Sequence, residues 1–157
     1  MATKVEPARE RLYDQDFYAW TRQQAAHLRA RRFNALDLDH LVETVEELGD
    51  VQREAVLSNA RVVLEHLLKL AHSPATDPRK GWRATVREHR ARLELQITPQ
   101  LRQALQDELE RVYAIARRNA EGALRDHGEP AAANALPATC PYSFDQISAD
   151  WWPPLPK

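Results

Sequence analysis

Apolar residues recur at three-to-four spacing through most of the chain, the period of a helix that buries one face. Phe17, Trp20, Thr21, Ala25 and Leu28 mark the first stripe, which predicts a helix over residues 14–30 with Asp14 as its N-cap. Arg29, Arg31 and Arg32 gather at its far end, where cations suit the helix dipole. A second stripe, Leu38, Leu41, Val42, Val45 and Leu48, follows Asp37, itself an N-capping residue. Gly49 either ends or bends this helix, because residues 51–72 are equally periodic. Their apolar face comprises Val56, Leu57, Ala60, Val63, Leu64, Leu67 and Ala71.

Two later helices open on one signal. Asp77-Pro78 and Thr98-Pro99 each set a capping side chain before a proline, whose missing N–H costs nothing in a first turn. Trp82, Val86, His89, Leu93 and Ile97 line the first of them. The second is predicted to run unbroken to His127 on Leu101, Leu105, Leu109, Val112, Ala116, Ala120 and Leu124, with Gly128 as its stop. Residues 129–142 are rich in proline and alanine, with room for one short helix. Ser143 to Gln146 reads S-x-x-Q, a capping box that opens a further short helix to residue 149. Trp151-Trp152-Pro153-Pro154 cannot continue it, and the two indoles are expected to clamp an extended segment onto the bundle.

The pattern therefore predicts an all-α fold: an antiparallel helical bundle of four to five main helices, with short C-terminal helices across it. Residues 1–12 are expected to form a flexible N-terminal arm and residues 13–157 a single domain. One shared core is expected from Trp20, Leu41, Val45, Leu64, Leu68, Trp82, Val86, Leu93, Val112 and Leu124.

Composition agrees with helices, since only 4 of 157 residues are glycine. A net charge of −1 provides no global field for nucleic acid, which is not expected as a partner. The local balance is uneven. Residues 36–54 carry seven acids and one base, and residues 79–92 carry six bases and one acid. Cys140 has no second cysteine to pair with, which suits a reducing compartment. Met1-Ala2-Thr3-Lys4 begins no apolar targeting segment, and no apolar run nears the ~20 residues of a membrane span. A cytoplasmic location without a membrane partner is the expectation.

Candidate chemistry sits on three successive helices. Glu43, Glu46 and Glu47 form either a solvated acidic face or a carboxylate pair able to bind a divalent metal or activate water. His66 lies at the edge of its apolar face, as a hydrogen-bonded boundary residue or as a general base. Lys69, one turn on, either snorkels to water or holds an anion. Arg83, Arg87 and Arg90 stand at i, i+4 and i+7, a stripe suited to carboxylates, to the acidic segment or to phosphate. Catalytic candidates are thus Glu43, Glu46 and His66, and ligand-binding candidates are Lys69, Arg83, Arg87 and Arg90. Glu65 and His66 are adjacent, so the Glu-x-x-His spacing of a di-metal bundle is missing, and no metal or cofactor is expected. Nothing basic in sequence lies beside Cys140 to activate its thiol.

Several of these motifs together resemble the DUF29 family of bacterial proteins. They are Tyr13-Asp14-Gln15-Asp16-Phe17-Tyr18-Ala19-Trp20, Leu36-Asp37-Leu38-Asp39-His40-Leu41, Glu43/Glu46/Leu48-Gly49, His66-Leu67-Leu68-Lys69, Trp82-Arg83-Ala84-Thr85 and Cys140-Pro141-Tyr142. Their order and spacing agree over residues 12–152. Thr44 departs from the pattern, since the family usually has a second adjacent glutamate there. The resemblance implies an all-helical bundle and brings no mechanism with it. With no complete catalytic motif, the leading expectation is a non-enzymatic interaction or regulatory module that binds a second copy of itself or another protein. The alternative is a phosphate-ligand binder or hydrolase for a small anionic ligand, with Glu46, His66, Lys69 and Arg87 lining one pocket.

Overall fold

The computed structural model describes the backbone of residues 8–156 and the side chains of residues 12–156. The fold is all-α, and no strand occurs among the described residues. The elements are α1 (Ala8–Gln15), α2 (Phe17–Arg29), a 3-10 turn (Phe33–Ala35), α3 (Leu38–His72), α4 (Arg79–Gln96), α5 (Pro99–Asp107), α6 (Leu109–Asp126), α7 (Pro130–Asn134) and α8 (Phe144–Ser148). Of the arm expected over residues 1–12, residues 1–7 lie outside the described residues and 8–12 belong to α1. Among the described residues, no helix is long and apolar enough to cross a membrane.

The chain divides into two compact units, one ending at Asp50 and the other beginning at Val51. In the first, the expected helix over 14–30 begins later, because Asp16 and not Asp14 is the N-cap. The Asp16 carboxylate accepts from the Ala19 N–H at 2.9 Å. The C-terminus of α2 closes as a Schellman motif: the Arg32 N–H reaches His27 O and the Arg31 N–H reaches Leu28 O. Arg31 thereby sits at φ 54°, a left-handed position that glycine normally takes. Trp20 and Gln24 are buried here. The Trp20 indole N–H donates to Asp37, and the Gln24 carbonyl accepts from the Asp37 N–H.

α3 is one continuous helix, so Gly49 neither ends nor separates it. A single glycine costs a helix only about 1 kcal/mol relative to alanine, and strong helix formers flank it on both sides. In the second unit the α3 face from Val56 to Leu70 packs against Val86 and Leu93 of α4 and against Val112, Tyr113, Ala116, Ala120 and Leu124 of α6. The Asn59 amide donates to Gln96, and the His89 Nδ1–H donates to Asn59 Oδ1 at 2.7 Å, so polar groups also tie α3 to α4. Leu64, Leu68, Val86, Leu93, Val112 and Leu124 take their expected core places, and Trp82 packs half-buried beside them. Val45 does not: it is exposed, and Leu41 is only half-buried.

Two helix starts differ from expectation. Asp77 does not cap α4; Pro78 occupies that position without a side-chain cap. Arg79 instead donates from its guanidinium to the Leu70 and Ser73 carbonyls, covering the end of α3. The helix expected from Pro99 to His127 breaks at Glu108, whose N–H donates back to Ala104 O and Gln106 O. The Glu108 carboxylate is held in ion pairs with Arg53 and Arg111, which fixes the turn. Thr98 does cap α5, Gly128 at φ 77° ends α6 in a second Schellman motif, and Ser143 with Gln146 forms the capping box of α8. Tyr113 donates its hydroxyl to Pro137 O at 2.6 Å, anchoring the stretch after α7.

Candidate functional site

Most of the titratable cluster of the second unit lies on one turn of α3. Glu65, His66 and Lys69 meet because residues three and four apart share a helix face. The Lys69 ammonium donates to Glu65 Oε1 at 3.1 Å and to His66 Nε2 at 3.3 Å. It stands 5.5 Å from the centroid of the Trp82 ring. Asn119 of α6 donates to the other Glu65 oxygen at 3.3 Å. His66 Nδ1 lies 2.9 Å from Val62 O, and a carbonyl can only accept, so Nδ1 carries the proton and Nε2 is left to accept from Lys69. Burial, and then the Lys69 charge, hold the His66 pKa below its ordinary value. The arrangement keeps a neutral imidazole beside a buried ammonium that is only 7 % exposed. To act as a base, His66 would first have to release Lys69.

Among the described residues, no ion pair joins the arginine stripe of α4 to a carboxylate. Arg83, Arg87 and Arg90 gather over the Trp152 ring, at 4.7, 5.4 and 5.0 Å from its centroid. Arg90 is buried, with Nε donating to Ile147 O and Nη2 donating to Gln146 O and Trp151 O, at 2.7–2.9 Å. Burial lowers its pKa, the sign of a cation withdrawn from water. Its two neighbours are less enclosed, Arg83 half-buried and Arg87 exposed. Among the described residues, no hydrogen bond or ion pair joins Arg83 or Arg87 to His66 or Lys69. The stripe holds the segment after α8, with Trp151 and Trp152 packed against the core. Arginine-to-carbonyl anchoring leaves no charge pattern in the sequence; the paired tryptophans before Pro153 were its legible trace.

In the first unit Glu43 and Glu46 are exposed on α3, as is Glu47. In the same unit Asp37 accepts from Trp20 and from His40 Nδ1 at 2.8 Å, and the His40 ring stacks on Tyr13 with centroids 4.0 Å apart. The hydrogen bond to Asp37 raises the His40 pKa against the opposing effect of burial. Burial pulls the Asp37 carboxyl upward, but hydrogen bonds from His40 and Trp20 outweigh it and leave the pKa below its usual 3.8. The two histidines thus have opposite linkage. The His40 contribution is present below the unfolded value of 6.5 and is lost as pH rises through its folded pKa. His66 costs nothing above 6.5, and stability is lost as pH falls through that value. An NMR titration of the imidazoles should place His40 above 6.5 and His66 below it, and the reverse order would contradict both environments.

The same half of α3 exposes its apolar face. Leu38 is 60 %, Val42 57 %, Val45 65 % and Leu48 65 % exposed. Sequence periodicity marks these residues as buried because it reports a face to be covered without saying by what. A cleft of 730 Å³ also opens in the second unit, between the loop at residues 74–78, Trp82 and the end of α6 at His127 and Glu129. None of the catalytic or ligand-binding candidates lines it. Cys140 is half-buried, donates to Tyr142 O at 3.5 Å, and has its pKa pushed up by burial, all of which suits a structural thiol. No group of His, Cys, Asp and Glu among the described residues is placed to hold a metal ion.

No curated protein and no solved structure matches the chain. A family model does: the domain of unknown function DUF29 matches residues 12–152, which takes in α2 to α8 and the segment held by Arg90. With nearly its whole length covered by that model, the chain belongs to the DUF29 family.

Proposed function

We propose that the protein is a non-enzymatic interaction module whose contact surface is the apolar face of the first half of α3. The observation that carries this reading is the exposed run Leu38, Val42, Val45 and Leu48. Folded chains rarely leave such a contiguous apolar stripe in water unless something binds it. Support also comes from the polar groups of the second unit, which are engaged within the fold. Lys69 donates to Glu65 and His66, and Arg90 to three backbone carbonyls. The alternative, a phosphate-ligand binder or hydrolase using Glu43, Glu46, His66, Lys69, Arg83 and Arg87, therefore has less support. A reducing, cytoplasmic setting belongs to the same reading, since Cys140 has no second cysteine to pair with.

The test compares tagged wild type with the Val42→Asp/Val45→Asp variant by light scattering and by affinity capture from cells. Both positions are exposed, so circular dichroism and melting of the two proteins should coincide. Wild type is expected to retain a partner, or a second copy, that the variant loses. Identical mass and identical captured proteins for the two would remove the reading.

A further inference from the structure

We infer that the occupant of this face is a basic amphipathic helix supplied by a protein partner. The inference rests on the interaction reading above and adds the chemistry of what is bound. At 100° per residue, Leu38, Leu41, Val42, Val45 and Leu48 fall within an arc of about 120° centred on Val45. Asp39, Glu43, Glu46, Glu47 and Asp50 fall together in the neighbouring arc of about 100°, along one edge only. All five carboxylates are exposed. Among the described residues none of them is in an ion pair. The opposite edge carries His40 and Thr44, and no lysine or arginine occurs from residue 33 to residue 52. The face is thus apolar with a single acidic border that the first half of α3 does not neutralise.

The same face of a second copy does not complement it. Two α3 faces laid antiparallel would bring acidic edge to acidic edge. Laid parallel, each acidic edge would meet His40 and Thr44, and neither arrangement supplies a fixed cation. A bilayer surface bearing anionic lipid would repel the five carboxylates. A helix with apolar residues at i, i+3, i+4 and i+7, and with lysine or arginine along one border, satisfies both features. Leu38 to Leu48 spans about 15 Å, so three to four turns of partner suffice. An interface of that size falls at the small, transient end, below roughly 1,200 Å². Its affinity draws on charge and is salt-sensitive.

The experiment titrates the full chain into two labelled helical peptides of about four turns, matched to the length of the stripe. Both carry leucine at i, i+3, i+4 and i+7; one has lysine and arginine on its border, the other glutamate. Fluorescence anisotropy should give the basic peptide a micromolar Kd, with the acidic peptide at least about 10-fold weaker, as like charges across an interface oppose binding. Glu43→Lys/Glu46→Lys/Glu47→Lys should reverse that order, and Val42→Asp/Val45→Asp should abolish binding of both. Equal affinity for the two peptides overturns the basic partner, as does no binding of the basic one at about 1 mM, far above the expected range. A concentration-dependent dimer lost in Val45→Asp also overturns it, by making a second copy the occupant. If capture from cells still separates wild type from the Val42→Asp/Val45→Asp variant while the basic peptide fails, the interaction reading stands and this inference alone falls.

Discussion

Replacing Leu64 by alanine should lower the unfolding free energy by roughly 2–5 kcal/mol. Leu64 is fully buried at the centre of the α3 face, among Leu67, Leu68, Val86 and Tyr113. The substitution removes its transfer free energy and leaves a cavity that packed helices fill only in part. Urea denaturation followed by helical ellipticity should show the midpoint fall with little change in slope. The stripe of the first unit gives the contrast. Val45→Ala, at a site 65 % exposed, should move the midpoint by no more than about 0.5 kcal/mol. Comparable losses for the two variants would contradict the division between a covered and an uncovered face of α3.

Arg90→Ala is expected to cost about 2–4 kcal/mol, the worth of one to two charge-assisted hydrogen bonds once water reaches the freed carbonyls. The guanidinium joins Gln146, Ile147 and Trp151 and also lies against the Trp152 ring. Its removal frees α8 and the tryptophan segment together. Arg90→Lys should recover little, because one ammonium on a flexible stem cannot reproduce the planar fork that reaches those carbonyls from Nε and Nη2. Tryptophan emission would report the release, since Trp151 and Trp152 leave the protein surface for water. Wild-type stability and emission in the lysine variant would show that charge alone, without the fork geometry, holds the segment. Nη1 of Arg90 is buried without a hydrogen-bond partner, so the net worth of the contact is below the sum of its bonds.

Helix existence was legible in the sequence because it depends on local period and local caps. Thr98-Pro99, Gly128 and the Ser143/Gln146 box are each satisfied by neighbours within a few residues. What failed was decided by partners farther away. Asp77 lost its capping role where Arg79 covers the carbonyls of Leu70 and Ser73. Asp14 is the exception, since it lost its own to a near neighbour, Asp16, whose carboxylate accepts from the Ala19 N–H. The break at Glu108 sets its carboxylate against Arg53, more than fifty positions earlier. Of the candidate site, the pairing of His66 with Lys69 followed from helix spacing alone. The destination of the arginine stripe did not, because a guanidinium bound to backbone carbonyls needs no acid in the sequence.

The contact made by Arg90 joins residues 56 to 61 positions apart along the chain. Closing loops of that length carries an entropic cost that must be met before any of the three bonds forms, and contacts of large sequence separation consolidate late. α8 and the tryptophan segment should therefore dock onto a second unit whose α3 and α4 are already assembled. Read in reverse, they should open before α3 and α4 of that unit. Amide protons of α8 should exchange well before those of Leu64 to Leu68, even though both stretches are helical and Ile147 is as completely buried as Leu64.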